Sequence, residues 1–222
     1  ASKDEKEESQ AIDEGVALSM AFTLPAAAAL LVMPFFLMHG FWTGGKFTDA
    51  DARATADALA HYGWGVPAFV LIRILQPPFF ARQDTKRPMR FALVSVAVNV
   101  AIGAGLFFAL RAMGQPGFVG LAIGAAAAAW VTVAQLAGTL LAEKLWRPKP
   151  ALIGQLMRIA LATGVMAAAL GAMAWQREAI IAAFAGVLNL RFGVKELAVT
   201  AVSVAGLLIY AAAAFATGAL KP

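Results

Sequence analysis

Arg73 is the residue whose position most strongly indicates chemistry, because it lies near the middle of an apolar stretch, residues 62–80. A guanidinium inside a membrane span costs roughly 3 kcal/mol on insertion scales, so such a residue faces a cavity or a partner. Its counter-charge must come from water, backbone carbonyls, protein outside this chain or an anionic ligand. Phosphate or pyrophosphate suits the guanidinium fork, and an arginine that snorkels or pairs for structural reasons is the alternative.

Prolines mark the places where the apolar stretches can bend. Gln76, Pro77 and Pro78 lie one turn beyond the arginine, and two consecutive prolines interrupt a helix because each lacks an amide donor. Pro25 and Pro34 lie inside the first apolar stretch. Each position is a candidate hinge or gate, and a structural bend or a plain helix end is the alternative.

Two amides lie inside later apolar stretches and are candidates to line a cavity. Asn99 lies in the third stretch and Gln135 in the fourth. Amides in a membrane usually hydrogen-bond a neighbouring helix, which is the alternative interpretation. Gly120 and Gly124 add a GxxxG spacing, which predicts close packing of two helices and carries no chemistry.

The composition predicts an all-α polytopic membrane protein. The chain has 222 residues, of which 61% are hydrophobic and 14% charged, and its mean hydropathy is +0.74. A span needs about 20 apolar residues, and six stretches reach roughly that length without an Asp or Glu. They are residues 16–38, 62–80, 91–110, 118–141, 153–175 and 197–220.

Several functional classes have no support in the sequence. There is no cysteine, no Gly-rich phosphate loop, no HExxH or GxSxG motif, and no carboxylate pair in a span. His39 and His61 are isolated, and we expect them at the surface. The net charge of +5 resides in short loops beside apolar runs, which favours a membrane topology signal over nucleic-acid binding. The residues by themselves therefore predict no enzyme active site, no metal site and no cofactor.

The connecting segments predict smaller elements. Thr48 followed by Asp49 and Asp51 is typical of a helix N-terminus, so a short surface helix should lead into the second span. Residues 179–190 are apolar but too short to span, which predicts an amphipathic helix in the interface or one packed against the bundle. Residues 1–15 are polar and acidic, and we interpret them as the start of a loop in a piece of a longer protein.

The distribution of Lys and Arg predicts the orientation. Segments 1–15, 81–90 and 142–158 together with the C-terminus hold 11 such residues, and the loops on the opposite side hold 6. The positive-inside rule then places both ends of the chain in the cytoplasm.

Three motifs resemble the MurJ (MviN) lipid II flippases. Residues 79–88 (FFARQDTKRP), with Arg82, Asp84, Lys86 and Pro88, are similar to a loop motif of that family. Residues 23–26 (TLPA) and 45–48 (GKFT) resemble two further family motifs in the same order and at similar spacing. The resemblance covers residues 1–90 well, and the remaining spans match in number and loop placement.

The resemblance implies a fold and an activity. This chain would be the last six of fourteen helices in a two-lobe transporter of the multidrug/oligosaccharidyl-lipid/polysaccharide exporter superfamily. Residues 16–141 would form four helices of the second lobe. Residues 142–222 would form two additional helices that frame a groove for a lipid tail, with Arg158 at its cytoplasmic mouth and residues 179–190 on the periplasmic side.

The implied activity is movement of undecaprenyl-pyrophosphate-linked peptidoglycan precursor (lipid II) across the bacterial inner membrane. Alternating access, coupled to an ion or the membrane potential, would carry it. The implied partners are lipid II, membrane lipids and the N-terminal remainder of the protein. Arg73 stands where relatives often carry Lys, and Phe80 where Tyr is common. The alternatives are an exporter of drugs or polysaccharide-lipid from the same superfamily, and a non-transporting membrane scaffold packed through its small-residue faces.

Overall fold

The computed structural model describes residues 3–188 and 193–219, which form ten α-helices. Six helical segments within these ranges are long and apolar enough to cross a membrane, which confirms the six predicted spans. The helices are α1 Lys3–Val32, α2 Pro34–Trp42, α3 Asp49–Gly63, α4 Val66–Leu75, α5 Pro77–Ala81, α6 Lys86–Ala112, α7 Phe118–Ala142, α8 Pro150–Trp175, α9 Arg177–Leu188 and α10 Val194–Thr217.

The first span differs from the prediction at both ends. Residues 3–15, which we predicted as the start of a loop, continue α1 toward the N-terminus, because Ile12 and Val16 extend its buried stripe by another turn. The helix then stops at Met33, whose φ of −132° and ψ of 36° are not helical, and Pro34 opens α2. Pro25 lies inside α1 without ending it.

The segment between the first two spans folds as predicted. Thr48 and Asp51 form a capping box at the start of α3, in which each side chain accepts a hydrogen bond from the other residue's backbone amide. The helix is less of a surface element than we expected, because Ala52 and Ala56 are buried where α3 packs on α2 and α7.

Helices α6 and α7 form an antiparallel hairpin held by glycine contacts. A methyl group on Gly124 would lie 2.7 Å from Gly103 Cα, and one on Gly120 would lie 2.6 Å from Phe107 N. The predicted GxxxG spacing therefore acts inside the chain, where it brings two backbones together. The outer face of α6, including Leu93, is exposed.

Two hydrophobic clusters meet along α1. The first joins α1 to α4, α5 and α7 through residues such as Met20, Leu75 and Leu136. The second joins the end of α1 and α2 to α8 and α10, with Phe36 and Ile159 at its centre. Helix α1 is thus the common element of the four-helix part and the last two spans.

Helix α9 covers most of the predicted short apolar segment. Its residues Ile180, Ile181 and Phe184 pack against the second cluster, so the helix lies against the bundle. Residues 189 and 190 of that prediction lie outside the described residues, as do the last residue of the sixth predicted span and the two that follow it. Helix α10 starts three residues earlier than predicted.

Candidate functional site

Helix α4 places Arg73 on its outer face. Ala68, Leu71 and Leu75 of the same helix are buried in the first hydrophobic cluster, and their spacing turns residue 73 away from it. Arg73 is exposed and makes no hydrogen bond or ion pair with the described residues. It lies eight residues before the end of α5 at Ala81, about 12 Å along a helix axis, so its charge remains well inside the span.

The hydrogen-bond ladder is interrupted after Arg73, at the prolines. Helix α4 ends at Leu75, Gln76 connects it to α5 with helical backbone angles (φ −77°, ψ −41°), and α5 begins with Pro77 and Pro78. In a continuous helix the amides of residues 77 and 78 would bond the carbonyls of Arg73 and Ile74. Proline supplies neither amide, so both carbonyls beside the arginine lose their helical donors.

The two predicted cavity amides differ in environment. Asn99 is exposed on α6, beside the close approach to α7. Gln135 is half-buried on α7, and its Oε1 is buried without a hydrogen-bond partner. It lies seven residues before the end of α7, at a depth similar to that of Arg73. Within the described chain no hydrogen bond joins these three side chains.

Tyr210 of α10 makes a contact that sequence reasoning missed. Pro25 has no amide to donate to the Ala21 carbonyl, one turn earlier in α1. The Tyr210 hydroxyl donates to that carbonyl instead, at 2.6 Å, and the pair is buried. The sequence held a signal for this contact, because a carbonyl freed by proline in an apolar environment needs a donor. The signal was a proline inside the first span together with a tyrosine inside the sixth.

An apolar groove of about 320 Å³ surrounds this hydrogen bond, between α1, α8 and α10. Phe22, Pro25, Leu170, Leu207 and Tyr210 are among the residues that line it. Such walls suit a hydrocarbon chain. Its walls come from α1, the start of α2 and the last two spans.

Arg158, which we predicted at the mouth of this groove, does not line the cavity. Its guanidinium donates to the Gly218 carbonyl at 3.4 Å, and Gln155 donates to the Ala219 carbonyl at 3.2 Å. Gly218 caps the C-terminus of α10, so Arg158 also complements the negative end of that helix dipole.

The loop between α5 and α6 is tied to other segments by ion pairs. Arg82 contacts Glu8 of α1 at 2.7 Å. Asp84 accepts a hydrogen bond from the Arg87 amide at 3.2 Å, and the Arg87 guanidinium also pairs with Glu143 at the end of α7. We call the side formed by residues 3–13, 82–87 and 143–149 the first loop face. Lys86 begins α6 there, and Pro88 is buried in its first turn.

The opposite side, formed by residues 39–49, 111–117, 175–178 and 193–195, is the second loop face. His39 lies there in the last turn of α2, and its side chain is only 15% exposed, so the prediction of a surface histidine is wrong. Burial and the nearby charge of Lys195 lower the pKa of His39, and the Asp49 carboxylate 3.4 Å from its Nε2 opposes that shift. The imidazole is therefore neutral at pH 7.

Comparison with known proteins assigns the chain to a family. The family model described as "Lipid II flippase MurJ" matches residues 1–193. The chain belongs to the MurJ family of lipid II flippases. A probable lipid II flippase MurJ of Rhizobium meliloti (strain 1021) is 40% identical over 158 residues, which are 71% of this chain and 28% of the relative. Its counterpart in Vibrio cholerae serotype O1 (strain ATCC 39315 / El Tor Inaba N16961) is 27% identical over 198 residues, or 88% and 34% of the two chains.

A solved MurJ structure has the same fold. It is described as lipid II flippase MurJ in an inward closed conformation, and the match has a TM-score of 0.69 at 17% sequence identity. The match covers 95% of this chain and 39% of that one. The MurJ family model ends just before α10, whereas the structural match extends over nearly the whole chain. This chain spans about a third of the MurJ proteins it matches.

Asp13 is a second residue that sequence reasoning missed in this MurJ-family chain. It is 7% exposed and accepts hydrogen bonds from Trp146 Nε1 at 2.7 Å and the Lys149 amide at 3.1 Å. Lys149 is the N-cap of α8, so the carboxylate also lies at the positive end of that helix. Extending the buried spacing of α1 back through Ile12 would have placed Asp13 in a helix.

Proposed function

We propose that this chain forms the last six membrane helices of a lipid II flippase in the bacterial inner membrane. The complete protein would move undecaprenyl-pyrophosphate-linked precursor from the cytoplasmic to the periplasmic leaflet by alternating access. Both ends of the chain would face the cytoplasm, as the Lys and Arg distribution favours. The observation that carries this proposal is the exposed, unpaired Arg73 deep in a span of a MurJ-family chain.

In this proposal Arg73 contacts the pyrophosphate of the substrate. A guanidinium donates two parallel hydrogen bonds to phosphate oxygens, and a low-dielectric cavity strengthens them. Asn99 and Gln135 would line the same cavity, and the unsatisfied Gln135 Oε1 supports a polar contact there. The N-terminal remainder of the protein would supply the opposite wall.

The helix breaks supply candidate hinges for alternating access. Gln76, Pro77 and Pro78 separate α4 from α5, and Pro34 follows the bend that separates α1 from α2. Short segments of this kind absorb large changes in backbone angle when packed helices rotate. Movement at the α4–α5 break would carry the Arg82–Lys86 loop and its ion pairs with it.

The apolar groove at α1, α8 and α10 would hold the isoprenoid tail while the headgroup occupies the cavity. The second hydrophobic cluster attaches residues 142–222 to α1 and α2, which supports their role as an addition to the four helices of 16–141. Arg158 would stand on the cytoplasmic side of this groove, beside the end of α10.

The glycine packing weighs against the scaffold alternative. A scaffold would offer its small-residue faces to a partner, but Gly120 and Gly124 are already buried against α6. An exporter of drugs or polysaccharide-lipid would use the same architecture, so the test must identify the substrate.

The test is complementation of a MurJ-depleted bacterium by the complete protein. Arg73→Ala should abolish growth and block arrival of lipid II in the outer leaflet, while Arg73→Lys should retain much of both. Arg111→Ala, at the exposed end of α6, is the matched control and should complement fully. Normal lipid II transport by Arg73→Ala would overturn the cavity role, and failure of the parent protein to complement would favour the exporter.

A further inference from the structure

Two arginines contact one aromatic ring on the second loop face. The guanidinium carbons of Arg53 and Arg177 lie 4.5 Å and 5.2 Å from the ring centroid of Phe35. Arg53 belongs to α3, Arg177 begins α9 and Phe35 belongs to α2, so three helices converge to place two cations together. Both guanidinium groups therefore pack on one ring, which concentrates two positive charges beside Phe35.

A third cation and a neutral imidazole belong to the same cluster. Lys195, at the start of α10, has its Nζ 3.5 Å from Thr43 Oγ1. His39 Nδ1 is buried without a hydrogen-bond partner. The charges of Lys195, Arg177 and Arg53 all lower the pKa of His39, so each of the three cations lies near this imidazole.

The carboxylates nearby do not balance these cations. Asp49 lies 3.4 Å from His39, and its side chain is 66% exposed. Glu178 lies 3.3 Å from Arg177, and its side chain is 88% exposed, so solvent screens the pair strongly. Arg53 forms no ion pair with the residues that the structure describes. The cluster therefore has a net positive charge available to a ligand.

An apolar cavity of about 250 Å³ opens beside Arg177. Phe35 and Phe36 of α2 line one side, and Gly171 and Trp175 of α8 line another. Trp175 is 89% exposed, as is common for tryptophans at the membrane–water interface. The opening of the cavity is positively charged and its interior is apolar. This arrangement is complementary to a ligand that carries both a phosphate and a hydrocarbon chain.

We propose that Arg53, Arg177 and Phe35 form a binding site for the phosphate of an anionic phospholipid, whose acyl chain enters the cavity beside Trp175. The guanidinium groups donate to the phosphate oxygens, and the ring fixes their orientation. A free phosphate would leave the apolar cavity empty, so the structure favours the lipid. This cavity is distinct from the groove proposed for the isoprenoid tail, although Met33 lines both, and the proposal does not depend on that groove.

Native mass spectrometry of the protein titrated with phosphatidylglycerol measures the affinity of the protein for this lipid. Arg53→Gln combined with Arg177→Gln should weaken binding about 25-fold, since each basic group near a membrane contributes about a factor of five. Arg111→Gln removes an exposed arginine at the end of α6 on the same face and should leave affinity unchanged. Phosphatidylcholine of the same chain length should bind weakly to all three proteins.

Brominated phosphatidylglycerol gives a second measurement that locates the acyl chain. Bromine on the chain should quench the fluorescence of Trp175, and Trp175→Phe should remove that part of the quenching. Arg53→Gln alone changes an exposed residue, so it tests the headgroup contact if the double variant does not fold.

Three results would overturn the proposal. The first is that Arg111→Gln weakens phosphatidylglycerol binding as much as the double variant does. That result would show that the lipid responds only to the overall surface charge. The second is equal affinity for phosphatidylcholine. The third is full competition by inorganic phosphate at the same concentration as the lipid, which would assign the site to a free anion.

Discussion

Prolines interrupt α1 and the α4–α5 segment in the same chemical way, but the two regions respond differently. In α1, Pro25 frees the Ala21 carbonyl, Tyr210 donates to it, and the helix continues. After α4, Pro77 and Pro78 remove two consecutive donors, and the hydrogen-bond ladder is interrupted at Gln76, although this residue keeps helical backbone angles (φ −77°, ψ −41°). The loss of a donor is therefore the same in both regions, and among the described residues a neighbouring helix supplies a replacement donor only in α1.

The two regions also differ in how they are anchored. Helix α1 is tied at its N-terminal side by Asp13 and in its middle by Tyr210, both through buried hydrogen bonds. The α4–α5 break has no comparable buried polar contact within the described chain, and Arg73 beside it is exposed. This contrast supports the proposal that α1 is a fixed element and that the α4–α5 segment is a hinge.

The strongest test of this contrast joins α4 and α5. Pro77→Ala combined with Pro78→Ala restores donors to the carbonyls of Arg73 and Ile74, so the hydrogen-bond ladder should run without interruption from α4 into α5. We expect most lipid II transport to be lost while thermal stability in detergent is unchanged or higher. Pro150→Ala is the control, because Pro150 occupies the first position of α8, where no helical donor is missing. Normal lipid II transport by the double variant would contradict the assignment of a hinge to this segment.

Substitutions of Asp13 test whether its hydrogen bonds stabilise α1. Asp13→Ala should lower the free energy of unfolding by about 2 kcal/mol, because a buried charged acceptor with two donors is lost. Asp13→Asn keeps one acceptor and should cost less. Glu14→Ala, at the exposed neighbouring position, should change stability by less than about 0.5 kcal/mol. Equal effects of Asp13→Ala and Glu14→Ala in chemical denaturation would show that the anchor contributes nothing.

The sequence predicts the spans of this protein well because lipid imposes a simple length rule on apolar runs. It also predicts the Thr48 cap and the break before Pro77, since both depend on local chemistry. These features need no knowledge of which helices are neighbours.

The sequence does not predict the contacts that depend on neighbours. Asp13 reaches residues more than 130 positions away, and Tyr210 reaches Ala21 across the whole chain. Acidic composition made residues 1–15 resemble a loop, although tertiary contacts hold most of them in a helix. Arg73 was recognisable from its charge alone, but its exposed position depends on which face of α4 packs on α7.

Tyr210 offers a double-mutant test of the Pro25 contact. Tyr210→Phe should destabilise the protein by about 1 kcal/mol, as expected for a hydrogen bond inside a membrane protein. In a Pro25→Ala background, the new amide of residue 25 can bond the Ala21 carbonyl, so the same change should cost much less. Unfolding of the four proteins in detergent gives the coupling free energy. Additive effects would contradict the assignment of Tyr210 as the replacement donor.

The smallest expected effect concerns the C-terminal end of the proposed hinge segment. Gln83 has φ of +58°, a left-handed conformation that glycine adopts more readily, and its amide donates to the Phe80 carbonyl at the close of α5. Gln83→Gly should therefore raise stability by about 0.5 kcal/mol, since relief of strain exceeds the added chain entropy. Gln115→Gly is the matched control: Gln115 is absent from the positive-φ positions, so it should gain nothing. A gain in both variants, or in neither, would mean that strain at Gln83 does not limit this segment.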